Sequence, residues 1–402
     1  MIRELPDDPL IRSLVQRARR ARVSRRSVLG LAGAGAASLA LAACSTGAAA
    51  PLAAKDLSST QKLVHWVSWP LYLDTDEYGQ HPTLQAFQQK TGILVGYRES
   101  IQDNSAYFAT VKNRLVAGRD IGADTVVLTD WMASRWIRFG YTQELDHARI
   151  PNLKNLTPKL QTIGYDPGRT HSVPWQGGFG GIAWNKQEFP KGFTSLTELL
   201  AEPALKGRIE VLSEMRDTVG LVMLEQGTDI SRTFSDAKFE NALDVIRSGI
   251  ADGVIRRVTG NAYTDDLVSG DALAAITWSG DIASLNAEHG GRWGFALPDA
   301  GGTLWNDNFL VPVGAQHKAN AEKLIDWYYD PAIAAQVAAY VNYITPVVGA
   351  QEEVAKIDPP LADDPLIFPD AATLARAKVF VDVTPATDQA YSSAFQNVLL
   401  GA

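Results

Sequence analysis

Cysteine is nearly absent from this 402-residue sequence: Cys44 is the only one, so no disulfide can form within the chain. Motifs of several enzyme classes are also missing. The six histidines show neither H-x-x-x-H nor H-E-x-x-H spacing, which argues against a zinc site. No G-x-S-x-G nucleophile elbow is present. We therefore expect no catalytic residue, no metal and no cofactor, in a fold stabilised by an apolar core rather than by cross-links.

Long hydrophobic runs are absent except near the N-terminus. Residues 28–43 carry no charge, follow the pair Arg25-Arg26, and end in Leu-Ala-Ala before Cys44. This order is the layout of a twin-arginine export signal, and the small residues before Cys44 resemble the lipobox of bacterial lipoproteins, whose cysteine is acylated. The run is too short and too rich in Ala and Gly for a comfortable membrane span. The alternative is a buried N-terminal helix with a free cysteine placed there by chance.

The N-terminal motifs predict an exported and processed protein. Residues 1–43 are then the signal peptide, and Cys44 is the lipid-attached first residue of the mature chain. Residues 44–60 are mostly Ser, Ala, Gly and Thr, which is typical of a flexible tether. We expect the protein to be periplasmic or at the cell surface, anchored to the outer face of the cytoplasmic membrane.

Positive charge is scarce in the remainder of the chain. The formal net charge is −8, and residues 1–43 hold eight arginines against three acids, so removing them leaves the mature chain at −13. An acidic exported protein is a poor candidate for nucleic-acid binding and a reasonable one for cationic ligands. The alternative is that the acidity serves solubility alone.

Short apolar strands alternate with helical patterns along the body of the chain. Strand-like segments occupy residues 62–67, 93–97, 124–129, 209–212 and 274–278, and helical patterns occupy residues 81–90, 321–329, 333–340 and 388–400. Tyr107, Val111 and Leu115 lie four residues apart on a further helix that ends at Gly118. The alternation favours parallel βαβ units, so we predict an α/β fold, and the length suggests two lobes.

A glycine cluster stands in the middle of the chain. Gly177, Gly178, Gly180 and Gly181 lie between the apolar segments 172–175 and 182–185. The spacing does not match a G-x-G-x-x-G phosphate loop, and a strand pattern follows where a helix should begin. We predict a strand that passes between the lobes, with small residues where neighbouring backbones crowd it. Further along, residues 357–370 contain four prolines and are expected to wrap the surface.

Aromatic residues stand beside acids at several predicted strand ends. The set comprises Trp69 and Tyr72, Asp130 and Trp131, Glu214 and Asp217, Trp278 and Asp281, and Trp305 and Asp307, the last two ahead of the strand-like segment 309–311. In parallel α/β sheets the ligand crevice lies beyond the carboxyl ends of the strands, so these residues are expected to converge. Aromatic faces cover methylene groups and attract ammonium charge, and carboxylates hydrogen-bond it, which suits an extended organic cation.

Two other interpretations of this set stay open. A single tryptophan of the set is better explained as a core or rim residue, so the prediction depends on the recurrence of acids beside the rings. Paired carboxylates with aromatic walls are also found in sugar-cleaving clefts, so a carbohydrate-active enzyme is the catalytic alternative.

The order of motifs resembles that of the spermidine/putrescine-binding proteins of bacterial ABC transporters, from about Lys62 to Leu400. The blocks that carry the resemblance are Trp69-Pro70-Leu71-Tyr72, Phe87-x-x-Lys90-Thr91-Gly92-Ile93-x-Val95, Asp124-x-Val126-Val127 with Thr129, Ser172-Val173-Pro174-Trp175 through Asn185, Lys206-Gly207 to Arg216-Asp217, Trp278-Ser279-Gly280-Asp281, Gly301-Gly302-x-x-Trp305-x-Asp307 and Tyr343-Ile344-Thr345-Pro346. Each block is weak alone, and their shared order is the signal.

The resemblance implies a two-lobed type II solute-binding fold that closes over its ligand and delivers it to an ABC permease. Residues 61–174 with 282–342 would form one lobe, and residues 175–281 with 343–402 the other. The resemblance also implies roles for the ten site residues. The aromatic rings of Trp69, Tyr72 and Trp131 would stack on a polyamine, and Trp278 would form another aromatic wall. The carboxylates of Glu214, Asp217 and Asp281 would pair with its ammonium groups. Thr129 would offer a hydroxyl, and Trp305 and Asp307 would complete the site.

The sequence departs from the family pattern at positions that bear on ligand identity. Ser68 replaces the usual Asn, Ile344 stands where some members have a polar contact, Val258 lies near where others carry an aromatic, and Trp131 is bulkier than the usual tyrosine. Spermidine, putrescine or another organic cation therefore remain open as the ligand, as do a sugar and a metal chelate.

Overall fold

A computed structural model describes residues 51–400 of the chain. The predicted export signal, with Arg25 and Arg26, and the predicted lipid-attachment residue Cys44 lie outside the described residues. Within residues 51–400, no helix combines the length and the apolar character needed to cross a membrane.

Every strand of the described chain belongs to one mixed sheet. The strands are β1 (Leu63–Ser68), β2 (Leu94–Glu99), β3 (Thr125–Thr129), β4 (Ser172–Asn185), β5 (Ile209–Leu212), β6 (Ile255–Thr259), β7 (Ala274–Trp278), β8 (Trp293–Ala296), β9 (Gly302–Leu310) and β10 (Ala377–Lys378). Their order is β2-β1-β3-β9-β4-β7-β5-β6, with β10 paired to β9 and β8 paired to β4.

Two parallel half-sheets are joined by two long antiparallel strands. Strands β2, β1 and β3 run parallel, as do β7, β5 and β6. Strands β4 and β9 pair with each other and connect the halves, because β9 runs antiparallel to β3 and β4 runs antiparallel to β7. The alternation of short parallel strands with helices confirms the predicted α/β class.

The register of β4 and β9 brings the carboxyl ends of the two halves together. Thr129, the last residue of β3, pairs with Asp307 of β9. Trp278, the last residue of β7, pairs with Gly180 of β4, whose partner on β9 is Thr303. Thr303 and Asp307 are four residues apart, about 13 Å at about 3.3 Å per residue. The two strand ends therefore face each other across a short stretch of β9, which creates a cleft.

Helices pack on both half-sheets and follow most of the parallel strands. They are α1 (Pro82–Thr91), α2 (Asn104–Val116), α3 (Asp130–Arg138), α4 (Leu196–Ala201), α5 (Met215–Glu225), α6 (Asp236–Ala251), α7 (Tyr263–Ser269), α8 (Ser279–Glu288), α9 (Lys318–Tyr328), α10 (Pro331–Val341), α11 (Ala350–Ile357), α12 (Pro359–Ala362), α13 (Ala371–Ala375) and α14 (Pro385–Leu399). Short 3-10 turns occur at His147–Arg149, Pro151–Asn155, Pro158–Leu160 and Pro203–Leu205.

Local signals in the sequence explain why these elements begin and end where they do. Helix α1 has proline in its first turn, and Gly92 ends it in the left-handed conformation with φ 68° while its N–H bonds back to Gln88. In α2, the Asp103 side chain accepts a hydrogen bond from the Ala106 N–H and so caps the helix. Its predicted apolar stripe of Tyr107, Val111 and Leu115 is buried, as expected.

One part of the local prediction is wrong. The sequence places Trp305 and Asp307 ahead of a strand, whereas both lie inside β9. Polar residues interrupt the apolar pattern there because alternate side chains of this strand face the cleft rather than the core. The four-proline segment does run largely along the surface as predicted, although Ala362 and Ile367 are buried.

The glycines of β4 are required by close approach of neighbouring strands. A β-carbon on Gly178 would lie 2.6 Å from the indole of Trp305 and 2.8 Å from the ring of Tyr343. On Gly181 it would lie 2.5 Å from the carbonyl oxygen of Ala296, which is backbone and cannot rotate away. The structure therefore confirms the prediction of a strand crowded by its neighbours.

We predict that Gly181→Ala lowers the free energy of unfolding by about 1–3 kcal/mol, because the added methyl group overlaps a backbone carbonyl. The measurement is urea unfolding monitored by tryptophan fluorescence. Gly164→Ala is the control, because a β-carbon there meets nothing within 4 Å. Equal stability of the Gly181→Ala variant and the control would contradict the packing argument.

Candidate ligand-binding site

The facing strand ends line a cavity of about 740 Å³ that is partly open to solvent. All ten residues predicted from the sequence line it: Trp69, Tyr72, Thr129, Trp131, Glu214, Asp217, Trp278, Asp281, Trp305 and Asp307. Asp130, which stands beside Trp131 in the set expected to converge, lines the cavity too. The sequence prediction did not include eight further lining residues, namely Pro70, Arg216, Asn261, Thr303, Leu304, Tyr343, Val379 and Phe380. The structure thus brings the predicted set together, and ligand contact by each residue stays a prediction.

Strand ends and helix starts position most of the acids. Glu214 precedes the first turn of α5 and Asp217 lies in that turn. Asp281 occupies the equivalent place in α8, directly after the end of β7. An acid in the first turn of a helix is favoured by the helix dipole. Asp307 instead projects from β9, on the same face of the strand as Thr303 and Trp305.

Aromatic rings form a continuous edge-to-face series around the cavity. The ring centroids of Trp69 and Trp278 are 6.4 Å apart, and those of Trp278 and Trp305 are 6.5 Å apart. Trp305 then meets Tyr343 at 5.2 Å, and Tyr343 meets Tyr72 at 5.4 Å. Interplanar angles between 67° and 75° place the edge of one ring against the face of the next. The series supplies an apolar lining with polar atoms at its rim.

Asp281 is held by three hydrogen-bond donors. The hydroxyl of Tyr343 donates to Oδ1 at 2.7 Å, and the hydroxyl of Tyr263 donates to Oδ2 at 2.6 Å. The Asn261 side chain also donates to Oδ2, at 3.2 Å. Burial raises the pKa of Asp281, while these three donors act to lower it. The carboxylate is therefore fixed in position without a basic partner.

Asp217 connects β7 and β9 through two hydrogen bonds. It accepts hydrogen bonds from the Trp278 indole N–H at 2.9 Å and from the Thr303 hydroxyl at 2.5 Å. Burial raises the pKa of Asp217 above its ordinary value. The Trp278 ring is thereby oriented by an acid of the same site.

Asp307 has an oxygen with no partner. Tyr72 donates its hydroxyl to Oδ2 at 2.8 Å, whereas Oδ1 is buried and has no hydrogen-bond partner among the described residues. The indole N–H of Trp305 is also buried without an acceptor there. Burial raises the pKa of Asp307 to about 7, although the hydroxyl groups of Thr129 and Tyr72 act to lower it. An unpaired buried acceptor is costly, so this oxygen is the best placed of the acids to receive a ligand donor.

Glu214 contacts the opposite side of the cleft. Its Oε1 accepts hydrogen bonds from the backbone N–H of Asn104 at 3.0 Å and from the Asn104 side chain at 2.9 Å. Burial and the nearby Asp103 carboxylate raise the pKa of Glu214 well above its ordinary value. The Ser213 hydroxyl beside it donates to Asp103 at 2.9 Å. These contacts link the start of α2 to the start of α5.

Arg216 is the basic residue among those that line the cavity. Its guanidinium lies 4.3 Å from the centroid of the Trp131 ring and donates to Asp388 at 2.8 Å. The guanidinium of Arg135 lies 5.0 Å from the same ring and pairs with the other oxygen of Asp388. Arg216 therefore covers one face of Trp131, a ring for which the family resemblance implies ligand stacking.

Some of the missing residues had a signal in the sequence. Tyr343 belongs to a block that carries the family resemblance, and Arg216 stands between two predicted acids. Val379 and Phe380 had no such signal, because they reach the cavity only when β10 pairs with the start of β9.

Among the described residues, no group of three or more His, Cys, Asp or Glu side chains is arranged to hold a metal ion. The five acids that line the cavity are instead engaged by tyrosine, tryptophan, threonine and asparagine donors. The fold thus places a cavity with acidic and aromatic walls between its two half-sheets.

The chain belongs to the family of bacterial extracellular solute-binding proteins, which matches residues 83–370. Spermidine/putrescine-binding periplasmic protein 1 of Haemophilus influenzae is 26% identical to it over 360 residues, or 89% of this chain and 94% of that protein. The putrescine-binding periplasmic protein PotF of Escherichia coli is 26% identical over 347 residues, or 81% of this chain and 87% of that protein.

Solved structures show the same architecture. A putative spermidine/putrescine ABC transporter protein from Listeria monocytogenes matches with a TM-score of 0.73 at 25% identity, over 84% of this chain and 99% of that one. The predicted fold, a two-lobed type II periplasmic-binding-protein arrangement, is confirmed. The relatives are solute-binding proteins and not enzymes, so the alternative of a carbohydrate-active enzyme is not supported.

We predict that Asp307→Asn stabilises the ligand-free protein increasingly as pH rises. The folded state raises the pKa of Asp307 from 3.8 to about 7. The stability associated with its protonated form is therefore complete below about pH 4 and is lost as pH rises through about 7. At pH 8 the variant should be more stable by a few kcal/mol, since one pKa unit corresponds to about 1.4 kcal/mol.

The measurement is thermal unfolding of both proteins at pH 4, 6 and 8 without ligand. Asp299→Asn, at an exposed position, serves as the control and should follow the wild type. A difference between Asp307→Asn and the wild type that does not change with pH would contradict the prediction.

Proposed function

We propose that this protein binds a linear polyamine of the spermidine or putrescine type in the cleft and delivers it to the permease of an ABC transporter for uptake. The observation that carries the proposal is the cavity itself, where four buried acids and the partly buried Asp130 lie among aromatic rings. Arg216, the cation among the described lining residues, is already paired with Asp388. The polyamine-binding periplasmic proteins among the relatives support it.

The arrangement of donors and acceptors supports a defined binding mode. One ammonium group of the ligand would donate to Asp307, whose Oδ1 is unpaired, beside the Tyr72 hydroxyl. The methylene chain would lie along the rings of Trp305 and Trp278, and a second ammonium would approach Asp281 or Asp217. Each ammonium would replace hydration with charge-assisted hydrogen bonds in a water-poor site.

Proton release is expected to accompany this binding. A cation favours the ionised form of a carboxyl group, and burial holds the pKa of Asp307 near 7 in the ligand-free protein. Affinity should therefore increase as pH rises toward 8. A neutral sugar would not produce this dependence.

We also propose that the two lobes close over the ligand as hinged bodies. The half-sheet of β2, β1 and β3 would move with one lobe and that of β7, β5 and β6 with the other. The predicted boundary at residue 282 falls inside α8, and β8 pairs with the end of β4 beside β7, so residues 282–296 would move with the second lobe. Strands β4 and β9 join the half-sheets and are the natural place for the hinge.

Binding is tested by isothermal titration of spermidine and of putrescine into the wild type, Asp307→Asn and Asp281→Asn. Removing one partner of a desolvated charge pair costs about 2–5 kcal/mol, so each substitution should weaken binding by more than tenfold. The exposed Asp299→Asn variant should bind like the wild type. Small-angle scattering of the same samples should show a smaller radius of gyration at saturation.

The outcomes separate the parts of this proposal. No heat and no thermal shift with either amine would reject polyamines as ligands while leaving the fold assignment intact. Binding by the wild type with unchanged affinity in Asp307→Asn would remove Asp307 from the site. An unchanged scattering profile at demonstrated saturation would reject lobe closure.

Export and membrane anchoring are proposed from the N-terminal motifs. Arg25 and Arg26 would direct the chain to the twin-arginine pathway, and acylated Cys44 would hold it at the outer face of the cytoplasmic membrane.

We predict that Cys44→Ala leaves the protein unprocessed or releases it from the membrane, because no other cysteine can take the lipid. Replacing Arg25 and Arg26 by lysine should leave precursor in the cytoplasm, since lysine reproduces a guanidinium pair poorly. Fractionation with a carbonate wash and immunoblotting measures both effects, and Ser45→Ala is the neighbouring control. Cys44→Ala protein that is processed and still membrane-bound after the wash would contradict lipid attachment.

A further inference from the structure

Arg216 has a position that conflicts with the binding of a cation. It lies between Glu214 and Asp217 in the sequence, at the start of α5, and lines the same cavity. Glu214 and Asp217 both lie close enough to Arg216 for their charges to interact, and the long side chain of arginine can adopt several rotamers. An ion pair between Arg216 and one of these acids would occupy the place that a ligand ammonium needs.

In the structure Arg216 is turned to a different acid. Its Nη2 lies 2.8 Å from Oδ1 of Asp388, and its guanidinium is stacked on Trp131. Glu214 and Asp217 form no ion pair with it in the described part of the chain, although both lie close enough for their charges to act on it. The tertiary structure, rather than the local sequence, therefore determines which acid pairs with Arg216.

The surroundings of Asp388 favour its pairing with Arg216 over pairing of Arg216 with Glu214 or Asp217. It is buried, with 5% of its surface exposed, and it lies in the first turn of α14 outside the cavity lining. Its second oxygen binds Arg135 of α3, which belongs to the opposite half of the sheet. Although burial alone would raise the pKa of Asp388, the two guanidinium groups lower it below its ordinary value. The carboxylate thus stays ionised between two cations.

We propose that Asp388 is a positioning residue for ligand binding: by holding Arg216 against Trp131, it keeps the carboxylates of Glu214 and Asp217 available for the ammonium groups of the ligand. This inference rests on the proposed polyamine function. Without Asp388, Arg216 turns to Glu214 or Asp217 and competes with the ligand from within the site.

The first test is titration of spermidine and putrescine into Asp388→Asn. Affinity should fall by at least tenfold, and Asp388→Glu, which keeps the charge, should recover a large part of it. Tyr391→Phe is the matched control, because Tyr391 lies on the same helix as Asp388. The substitution removes the 2.7 Å hydrogen bond from Tyr391 to Asp236 and leaves Arg216 unchanged. It should bind like the wild type. Unchanged affinity in folded Asp388→Asn would overturn the proposal.

A double variant separates positioning from a general loss of structure. If Asp388 acts through Arg216, then Arg216→Met in the Asp388→Asn background should restore affinity to that of the Arg216→Met single variant. If the double variant instead binds as weakly as Asp388→Asn, the effect does not pass through Arg216 and the proposal is wrong. Melting temperatures of all variants show whether folding is affected.

A ligand-free measurement keeps this inference distinct from the proposed function. The carboxyl carbon of Glu214, labelled with carbon-13 and assigned with Glu214→Gln, reports its pKa by NMR titration. In Asp388→Asn the approach of Arg216 should lower the pKa of Glu214, or that of Asp217, by at least one unit. Failure of the wild type to bind either amine would reject the proposed function, while unchanged pKa values of both acids would reject the inference.

Discussion

The antiparallel pairing of β4 with β9 is the contact on which the rest of the structure depends. Strand β9 pairs with one parallel half-sheet through β3, strand β4 pairs with the other through β7, and β4 and β9 pair with each other. Without this pairing the two halves would share no backbone hydrogen bonds, and the ends of β3 and β7 would not face each other. Backbone crowding at this junction explains why β4 carries glycine where other strands carry branched residues.

A second constraint follows from placing acids at those strand ends. Transfer of a carboxylate from water into a cavity is unfavourable unless hydrogen bonds or opposite charges compensate it. Tyrosine, tryptophan and asparagine donors compensate Asp281 and Asp217, whereas Asp307 keeps an unpaired oxygen. The site consequently has hydrogen-bond donors in fixed positions, several acidic groups, and one carboxylate oxygen without a hydrogen-bond partner. A ligand that brings several N–H donors and positive charge complements all three properties.

Some elements could be predicted from the sequence and others could not, and the difference has physical reasons. Strands β5 and β7 coincide with the predicted segments, because short apolar runs bounded by polar residues are typical of buried parallel strands. The interior of β9 was not predicted, since Trp305 and Asp307 face the cavity and Asn306 between them is polar, so the segment carries no apolar alternation. The ten candidate residues were predicted because they follow strand ends or belong to motifs of a resembling family. Phe380 was not, because its place depends on pairing between β9 and β10.

The sequence by itself determined that the chain has no disulfide, that strands alternate with helices, and that aromatic residues and acids recur at the ends of strands. These properties depend on residue type and on spacing between near neighbours. Only the tertiary structure decided which partner each charged group takes. Tyr72 and Asp307 are hydrogen-bonded across 235 positions, and Arg216 pairs with Asp388 across 172 although acids stand beside it in the sequence. Such pairings follow from how distant elements pack, because the burial and distance that set electrostatic strength exist only in the folded chain.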